Sequence, residues 1–209
     1  MANNPDSTSA PRHLRITDPS PWVVRFAPLI KEAGMALDLA CGGGRHARHL
    51  LELGRNVVAL DRSTEALANL ANSPGCEVIC ADLELAEPVF DAPGVLAGRA
   101  FDGIIVVNYL HRPLLAALLD ALAPGGVLIY ETFARGNEVF TRPRNPDHLL
   151  KSGELLDLVK DKLHVIAYEH GIIEKGPLPG VIQRLCAVKP EAPSPRDDGE
   201  PAARPVHPA

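Results

Sequence analysis

The chain has 209 residues, 46% hydrophobic and only 4% aromatic, enough for one domain whose core must be built from Leu, Val, Ile and Ala. Its formal net charge of -5 disfavours a nucleic-acid partner, because phosphate recognition calls for a basic face. Four cysteines without a C-x-x-C pair, no apolar stretch in residues 1–14 and no apolar run of membrane length lead us to expect a reduced, cytoplasmic protein with no signal peptide or membrane span.

Residues 1–18 are rich in Asn, Ser, Pro and Asp and are expected to lack fixed structure. Ser20-Pro21 then reads as a cap and first helical residue, with Trp22, Val23, Phe26, Leu29 and Ile30 at helical spacing up to Gly34. Trp22 and Phe26 are read as packing this helix on a sheet, with closure over a ligand as the alternative. The apolar run from Ala36 to Ala40 carries one carboxylate, Asp38, and leads through Cys41 into Gly42-Gly43-Gly44 and a helix-like segment, Arg45 to Leu53, ended by Gly54. That order describes a buried strand, a tight turn and a helix whose first N–H groups face whatever sits over the turn. Glycines suit the turn because a Cβ would obstruct a ligand and because such turns often need φ > 0.

Gly42-x-Gly44-x-x-Ala47 meets the dinucleotide-binding pattern. A carboxylate at position 38 would repel a pyrophosphate there and instead suits a cationic ligand such as S-adenosylmethionine, which carries an ammonium and a sulfonium. His46 and His49 lie i, i+3 on the helix, but with no third ligand signalled nearby they read as first-turn contacts rather than a metal site.

Asn56 to Leu60 reads as the second strand. Asp61 at its end is placed to accept from two ribose hydroxyls, and Ser63 reads as the cap of the next helix. Cys76 to Cys80 is a third strand whose cysteines read as core filler. Pro88, Pro93, Gly94 and Gly98 limit Glu84 to Arg99 to a short helix or loop. Phe101 to Val107 reads as a central parallel strand, leaving Asn108-Tyr109-Leu110-His111 in the crevice where open α/β sheets bind ligands. A helix over Pro113 to Ala123 stops at Pro124-Gly125-Gly126, before a strand at Val127 to Tyr130. Glu131 to Asn145 is an aperiodic polar loop of the kind that carries substrate contacts. Ser152 reads as the cap of a helix through Lys160, and Leu163 to His170 and Val181 to Val188 as an antiparallel pair joined through Gly171 to Gly180. Six prolines from Pro190 onward read as a disordered tail.

Asp38-Leu39-Ala40-Cys41-Gly42-Gly43-Gly44 resembles the first motif of the class I S-adenosylmethionine-dependent methyltransferases, acidic-x-(Gly/Ala)-x-Gly-x-Gly, and the resemblance extends over Met35 to Lys189. It implies an α/β, three-layer Rossmann-like fold. The sheet would be seven-stranded and mostly parallel, with an antiparallel last strand inserted between the fifth and sixth and helices on both faces. The domain would occupy residues 19–189, between the N-terminus at 1–18 and the Pro-rich tail at 190–209. The Pro124-Gly125-Gly126 turn leading into the fifth strand is a further family feature. Asp82 would bond the adenine amino group and Leu83 would pack on the ring. The implied cofactor residues are Asp38, Ala40, Gly42, Gly43, Gly44, Asp61, Arg62, Asp82, Leu83 and Asn108.

The implied reaction is attack by an acceptor atom on the sulfonium methyl, with alignment and removal of water supplying most of the acceleration. Tyr109, His111 and Glu131 are the candidate bases, and Arg135, Arg142 and Arg144 could receive an anionic substrate. Tyr130 to Phe133 and Asn145 to Leu150 look like small bacterial methyltransferases of the tellurite-resistance type, implying a small-molecule or inorganic acceptor. Asn108-Tyr109-Leu110-His111 departs from the Asn-Pro-Pro-Tyr signature of enzymes that methylate amino groups of bases or glutamine. An NAD-dependent oxidoreductase and a non-catalytic S-adenosylmethionine-binding protein are the rival readings; oligomeric state is open.

Overall fold

Apolar runs bounded by turn residues become the strands of a single sheet. The computed structural model describes residues 16–206 except 86, 141, 177, 192, 193 and 195. Its strands are β1 (Met35–Leu39), β2 (Asn56–Asp61), β3 (Cys76–Cys80), β4 (Phe101–Val107), β5 (Leu122–Phe133), β6 (His164–Ile173) and β7 (Gly180–Val188), in the order β3-β2-β1-β4-β5-β7-β6. The first five pair in parallel, and β7 runs antiparallel to both β5 and β6. The expected seven-stranded sheet with its inserted antiparallel strand is therefore present.

Strands β1 and β4 are covered on both sides, which is why they read as unbroken apolar runs. Alternate residues feed two cores. Leu37, Leu39, Ile104 and Val106 lie in one, and Ala36, Val57, Ile105 and Ile129 in the other. Helix α1 (Pro21–Phe26) is capped by the Ser20 hydroxyl, which accepts from the Trp22 N–H at 3.2 Å. Trp22 and Phe26 are buried in the second core, and Trp22 Nε1 donates to the Leu185 carbonyl at 3.2 Å, so they do pack the helix on the sheet. Helix α2 (Arg45–Glu52) buries His46, Ala47 and Leu50, and Gly54 beyond it takes φ 76°.

The remaining helices are shorter than their patterns predict. After β2 the chain makes a 3-10 turn over Glu65–Leu67 and then α3 (Ala68–Ala71). Ser63 does not cap it; its N–H donates to Asp61 Oδ1 at 3.0 Å. The segment expected as one helix from 113 to 123 is a 3-10 turn at Arg112–Leu114 followed by α4 (Leu115–Asp120). Helix α5 (Glu154–Val159) starts behind Gly153 at φ 75°, so Ser152 is not its cap; instead the Lys151 N–H donates to Glu154 Oε2 at 2.7 Å. Among the described residues of 84–99 there is no helix or strand.

Pro124-Gly125-Gly126 is not a turn before β5 but a bulge within it: the pairing steps from Phe101↔Leu122 to Gly103↔Val127. Lys189 closes the bulge, donating to the Gly126 carbonyl and accepting from Gly125, each at 2.9 Å. Because β5 runs on to Phe133, the polar loop begins at Ala134 and Glu131 is a strand residue. Strand β3 is a sheet edge, so Cys80 is exposed and Cys76 half-buried, not core filler. Among the described residues of the tail, 190–206, there is no helix or strand, and Arg25 Nε donates to the Val206 carbonyl at 3.0 Å. The expectation of disorder for 1–15 and 207–209 falls outside the described residues. No described helix is long and apolar enough to cross a membrane.

Candidate functional site

With the order β3-β2-β1-β4-β5, chain connections leave β1 and β4 toward opposite edges of the sheet. A crevice opens at the carboxyl ends of strands where such a reversal occurs. A cleft of about 1190 Å³ lies there. Its walls include Ala40, Cys41, Gly42 and Gly43 after β1, Asp61 and Arg62 after β2, Asp82 and Leu83 after β3, Asn108 and Tyr109 after β4, and Phe133 at the end of β5.

The turn after β1 is built from left-handed backbone: Ala40 at φ 53°, Gly42 at 55° and Gly44 at 70°. Gly44 is not a wall of the cleft. A Cβ there would stand 2.3 Å from Leu70 Cδ1 and 2.8 Å from Leu67 Cδ2, so the third glycine lets α2 seat against the segment after β2. Asn108 also takes a left-handed φ, 58°, which turns the chain sharply out of β4 at the cleft.

Asp38 corrects the electrostatic expectation. Its carboxylate is 1% exposed, is not a wall of the cleft, and accepts from the Ala47 N–H at 2.9 Å through Oδ2. It braces the first turn of α2 from beneath, where free helical N–H groups favour a negative end. Burial pushes this carboxyl up to about 7. Its neighbour His46, 3% exposed, accepts from the Ser20 N–H through Nε2 at 3.2 Å, which leaves the ring proton on Nδ1, 3.9 Å from Asp38 Oδ1. Burial, aided by Arg45, pulls the imidazole down to about 3, so it is neutral. His46 lines the cleft, which its helical spacing alone did not reveal.

Asp61 ties the turn to β2: Oδ2 accepts from the Gly42 N–H at 2.8 Å and Oδ1 from Ser63. Each oxygen keeps a further lone pair, and Asp61 lines the cleft. Asp82, exposed, accepts from the Glu84 N–H at 3.0 Å, while Leu83 beside it is buried. The Tyr109 hydroxyl is buried and, among the described residues, has no hydrogen-bond partner. Burial holds it far above the ordinary tyrosine value, so it stays a protonated donor. The Tyr130 hydroxyl donates to the Tyr109 carbonyl at 2.9 Å and fixes the backbone there.

Two expected bases stand elsewhere. His111 is not a wall of the cleft; it precedes the turn at Arg112–Leu114, its carbonyl accepting from the Leu114 N–H at 3.2 Å. Glu131 is held by the Ser20 hydroxyl at 2.9 Å and by Arg184 at 3.5 Å, so its charge is already partnered outside the cleft. Of the three arginines of the following loop, Arg142 and Arg144 line the cleft and Arg135 does not. His148 and Leu178, which carried no recognisable spacing, line it as well. Among the described residues no group of three or more His, Cys, Asp or Glu is placed to hold a metal ion.

A family model described as a methyltransferase domain matches residues 36–126, from β1 through the bulge in β5. Over those residues the chain is similar to the class I S-adenosylmethionine-dependent methyltransferases. The chain is 28% identical over 124 residues to a ubiquinone biosynthesis O-methyltransferase of Paracidovorax citrulli, an alignment covering 57% of this chain and 51% of the relative. The chain thus spans about half the length of the curated relatives it matches. TehB from Haemophilus influenzae superposes with a TM-score of 0.62 at 19% identity, over 80% of this chain and 61% of that one. The 1,6-didemethyltoxoflavin-N1-methyltransferase of Burkholderia thailandensis, solved with 1,6-didemethyltoxoflavin and S-adenosylhomocysteine, gives 0.60 at 20% identity, over 82% of this chain and 78% of that one. At such identity these likenesses establish the methyltransferase fold, and they do not assign the chain to the tellurite-resistance-type subgroup.

Proposed function

We propose that the protein is an S-adenosylmethionine-dependent methyltransferase acting on a small-molecule acceptor. The observation that carries this reading is Asp61, which locks the glycine turn at Gly42 and keeps carboxylate lone pairs on the cleft. The other walls suit an adenosyl ligand: Asp82 offers an acceptor for the adenine amino group, Leu83 an apolar seat for the ring, and Ala40, Gly42 and Gly43 a backbone surface without bulk. Arg62 and Asn108 complete the walls. Asp38 and Gly44 support the turn and do not touch the ligand.

When bound, S-adenosylmethionine supplies a methyl group on a sulfonium: the acceptor's lone pair forms the new bond to carbon as the carbon–sulfur bond breaks and its electrons remain on sulfur. The chain's own part is to align and to exclude water. Tyr109 keeps its proton, so it orients the acceptor by donating to it and does not act as a base. With His111 and Glu131 away from the cleft, neither takes a proton from the acceptor, and alignment supplies most of the acceleration.

Calorimetry with S-adenosylmethionine, S-adenosylhomocysteine and NAD tests the cofactor. Binding of the first two at about micromolar Kd and no binding of NAD is expected, and Asp61→Asn should weaken the adenosyl ligands by about 10- to 100-fold, the loss of charge-assisted hydrogen bonds. Unchanged affinity in Asp61→Asn would remove the ribose assignment. Methyl-label transfer from the cofactor into fractions of a lysate then tests the reaction, with label expected among small molecules.

A further inference from the structure

The two ends of the cleft differ in charge. Asp61, Asp82 and Glu84, with Arg62 among them, mark the ends of β2 and β3, whereas Arg142, Arg144 and His148 occupy the loop beyond β5 without a carboxylate. A basic end is notable in a chain of formal net charge -5, because it marks where the molecule concentrates positive groups against its own average. Most other arginines are engaged, Arg62 and Arg135 being exceptions among the described residues. Arg25, Arg99, Arg112 and Arg184 each lie against a carboxylate, and Arg45 donates to the Asp18 carbonyl. Among the described residues, Arg142 and Arg144 have no carboxylate or carbonyl partner.

These two arginines sit on a braced segment. Asn137, fully buried, donates through Nδ2 to the Pro143 carbonyl between them at 3.0 Å. On the far side, Arg112 donates to the carbonyls of Asp147 and Leu149 while paired with Glu154. The segment is pinned at both ends, so the two guanidiniums are carried on backbone whose position is set before any ligand arrives. Phe133 and Leu178 add an apolar wall to the same cleft.

We propose that the methyl acceptor is a small molecule bearing an oxyanion, carboxylate being the simplest, received by Arg142 and Arg144 while its apolar part rests on Phe133 and Leu178. Guanidinium forks match the planar, two-oxygen geometry of a carboxylate and lose little ordering entropy in doing so. Only the word acceptor rests on the methyl-transfer reading; the anion site is a property of the cleft and is tested apart from it.

The first experiment titrates benzoate and its neutral counterpart benzamide into the protein, with and without saturating S-adenosylhomocysteine, following binding by ligand-observed NMR. Saturable benzoate binding, at least about tenfold tighter than benzamide and weakened by added salt, is expected from a two-arginine site. Arg142→Gln/Arg144→Gln should erase the preference for benzoate while leaving S-adenosylhomocysteine affinity within about twofold, since the cofactor walls are elsewhere. Absent benzoate binding, equal binding of the two probes, or a preference that survives the double substitution would each overturn the proposal. So would a loss of S-adenosylhomocysteine affinity in that variant, which would give the arginines to the cofactor's own carboxylate. If S-adenosylhomocysteine does not bind the unaltered protein, the cofactor reading fails, and the benzoate titration without it still decides the anion site. A second arm passes methyl-labelled product from the lysate over an anion exchanger at pH 7. Retained label supports the proposal; label in the flow-through, or in the nucleic-acid fraction, opposes it.

Discussion

Asp38 and His46 are buried side by side with opposing proton preferences. The Asp38 carboxyl moves from its ordinary 3.8 to about 7 on folding, so between those pH values the folded chain holds a proton that the unfolded chain lacks. That contribution to stability is largest at the acid end and is lost as pH rises through 7. His46 moves from 6.5 down to about 3, so its contribution is complete above pH 6.5 and is lost as pH falls. Between about pH 4 and 6.5 the two slopes oppose and largely cancel. In His46→Asn only the Asp38 slope remains, and stability should increase on acidification from pH 7 to 4, with a slope approaching 1.4 kcal/mol per pH unit. Urea unfolding at half-unit pH steps measures this: a variant curve flat from pH 7 to 4 would show that Asp38 is ionised in the fold, and one parallel to that of the unaltered protein would show that His46 contributes no slope. Tyr109 makes a second case at this scale. Its buried hydroxyl has no partner among the described residues, so Tyr109→Phe should leave the free protein unchanged or stabilise it by about 1 kcal/mol. The same variant should lose about tenfold in methyl transfer by losing the donor that orients the acceptor. A fall in both stability and transfer would make the hydroxyl structural. Asp38 was conspicuous in the sequence as a lone charge in an apolar run, but a linear motif does not say on which side of the backbone a carboxylate points. The Ala47 N–H nine residues on decided it.

Strands were more legible than helices for a reason of burial. Strands β1 and β4 are covered on both faces, so their residues are apolar almost without interruption. Helices α3, α4 and α5 are each a turn or two long, too short for a 3.6-residue period to register, and tertiary contacts set their ends. The bulge in β5 was hidden because Pro124-Gly125-Gly126 has turn composition; what keeps it in the strand is Lys189, distant in sequence. The arginine end of the cleft was legible only as arginines in an aperiodic loop, because its shape depends on Asn137 reaching the Pro143 carbonyl and on the hairpin that carries Leu178. That dependence yields a prediction. A Cβ at Gly180, the first residue of β7, would come within 2.1 Å of Asn137 Oδ1. Gly180→Ala should push Asn137 off Pro143, destabilise the protein by about 1–3 kcal/mol and weaken benzoate several-fold. The affinity for S-adenosylhomocysteine should not change, since the glycine turn and Asp61 lie on other strands. Equal weakening of both ligands in paired titrations would show that the loop and the cofactor walls move together.

At the scale of the whole molecule, the order β3-β2-β1-β4-β5 puts the ends of β1, β2, β3 and β4 around one crevice, so a ligand seated there touches connections from four separate strands. None of those connections is held to its neighbours by a long helix. What joins them are single bonds such as Asp61 to Gly42, so a bound adenosyl ligand should act as a strut across the sheet's upper edge. Linkage gives the size of the effect: a ligand at a hundred times its Kd that binds only the folded chain adds about 2.7 kcal/mol. A chain of this length shifts its Tm by about 2–4 °C per kcal/mol, so S-adenosylhomocysteine at that excess should raise Tm by roughly 5–10 °C. NAD at the same concentration should leave Tm where it is. Asp61→Asn should lose about half or more of the rise, because its one amide oxygen cannot both brace Gly42 and accept from the ligand as the carboxylate does. Arg142→Gln/Arg144→Gln should keep all of it, because those side chains stand at the opposite end of the cleft. A thermal shift produced by NAD and not by S-adenosylhomocysteine would hand the crevice to a dinucleotide, and a rise abolished by the arginine substitutions would mean that one ligand spans both ends.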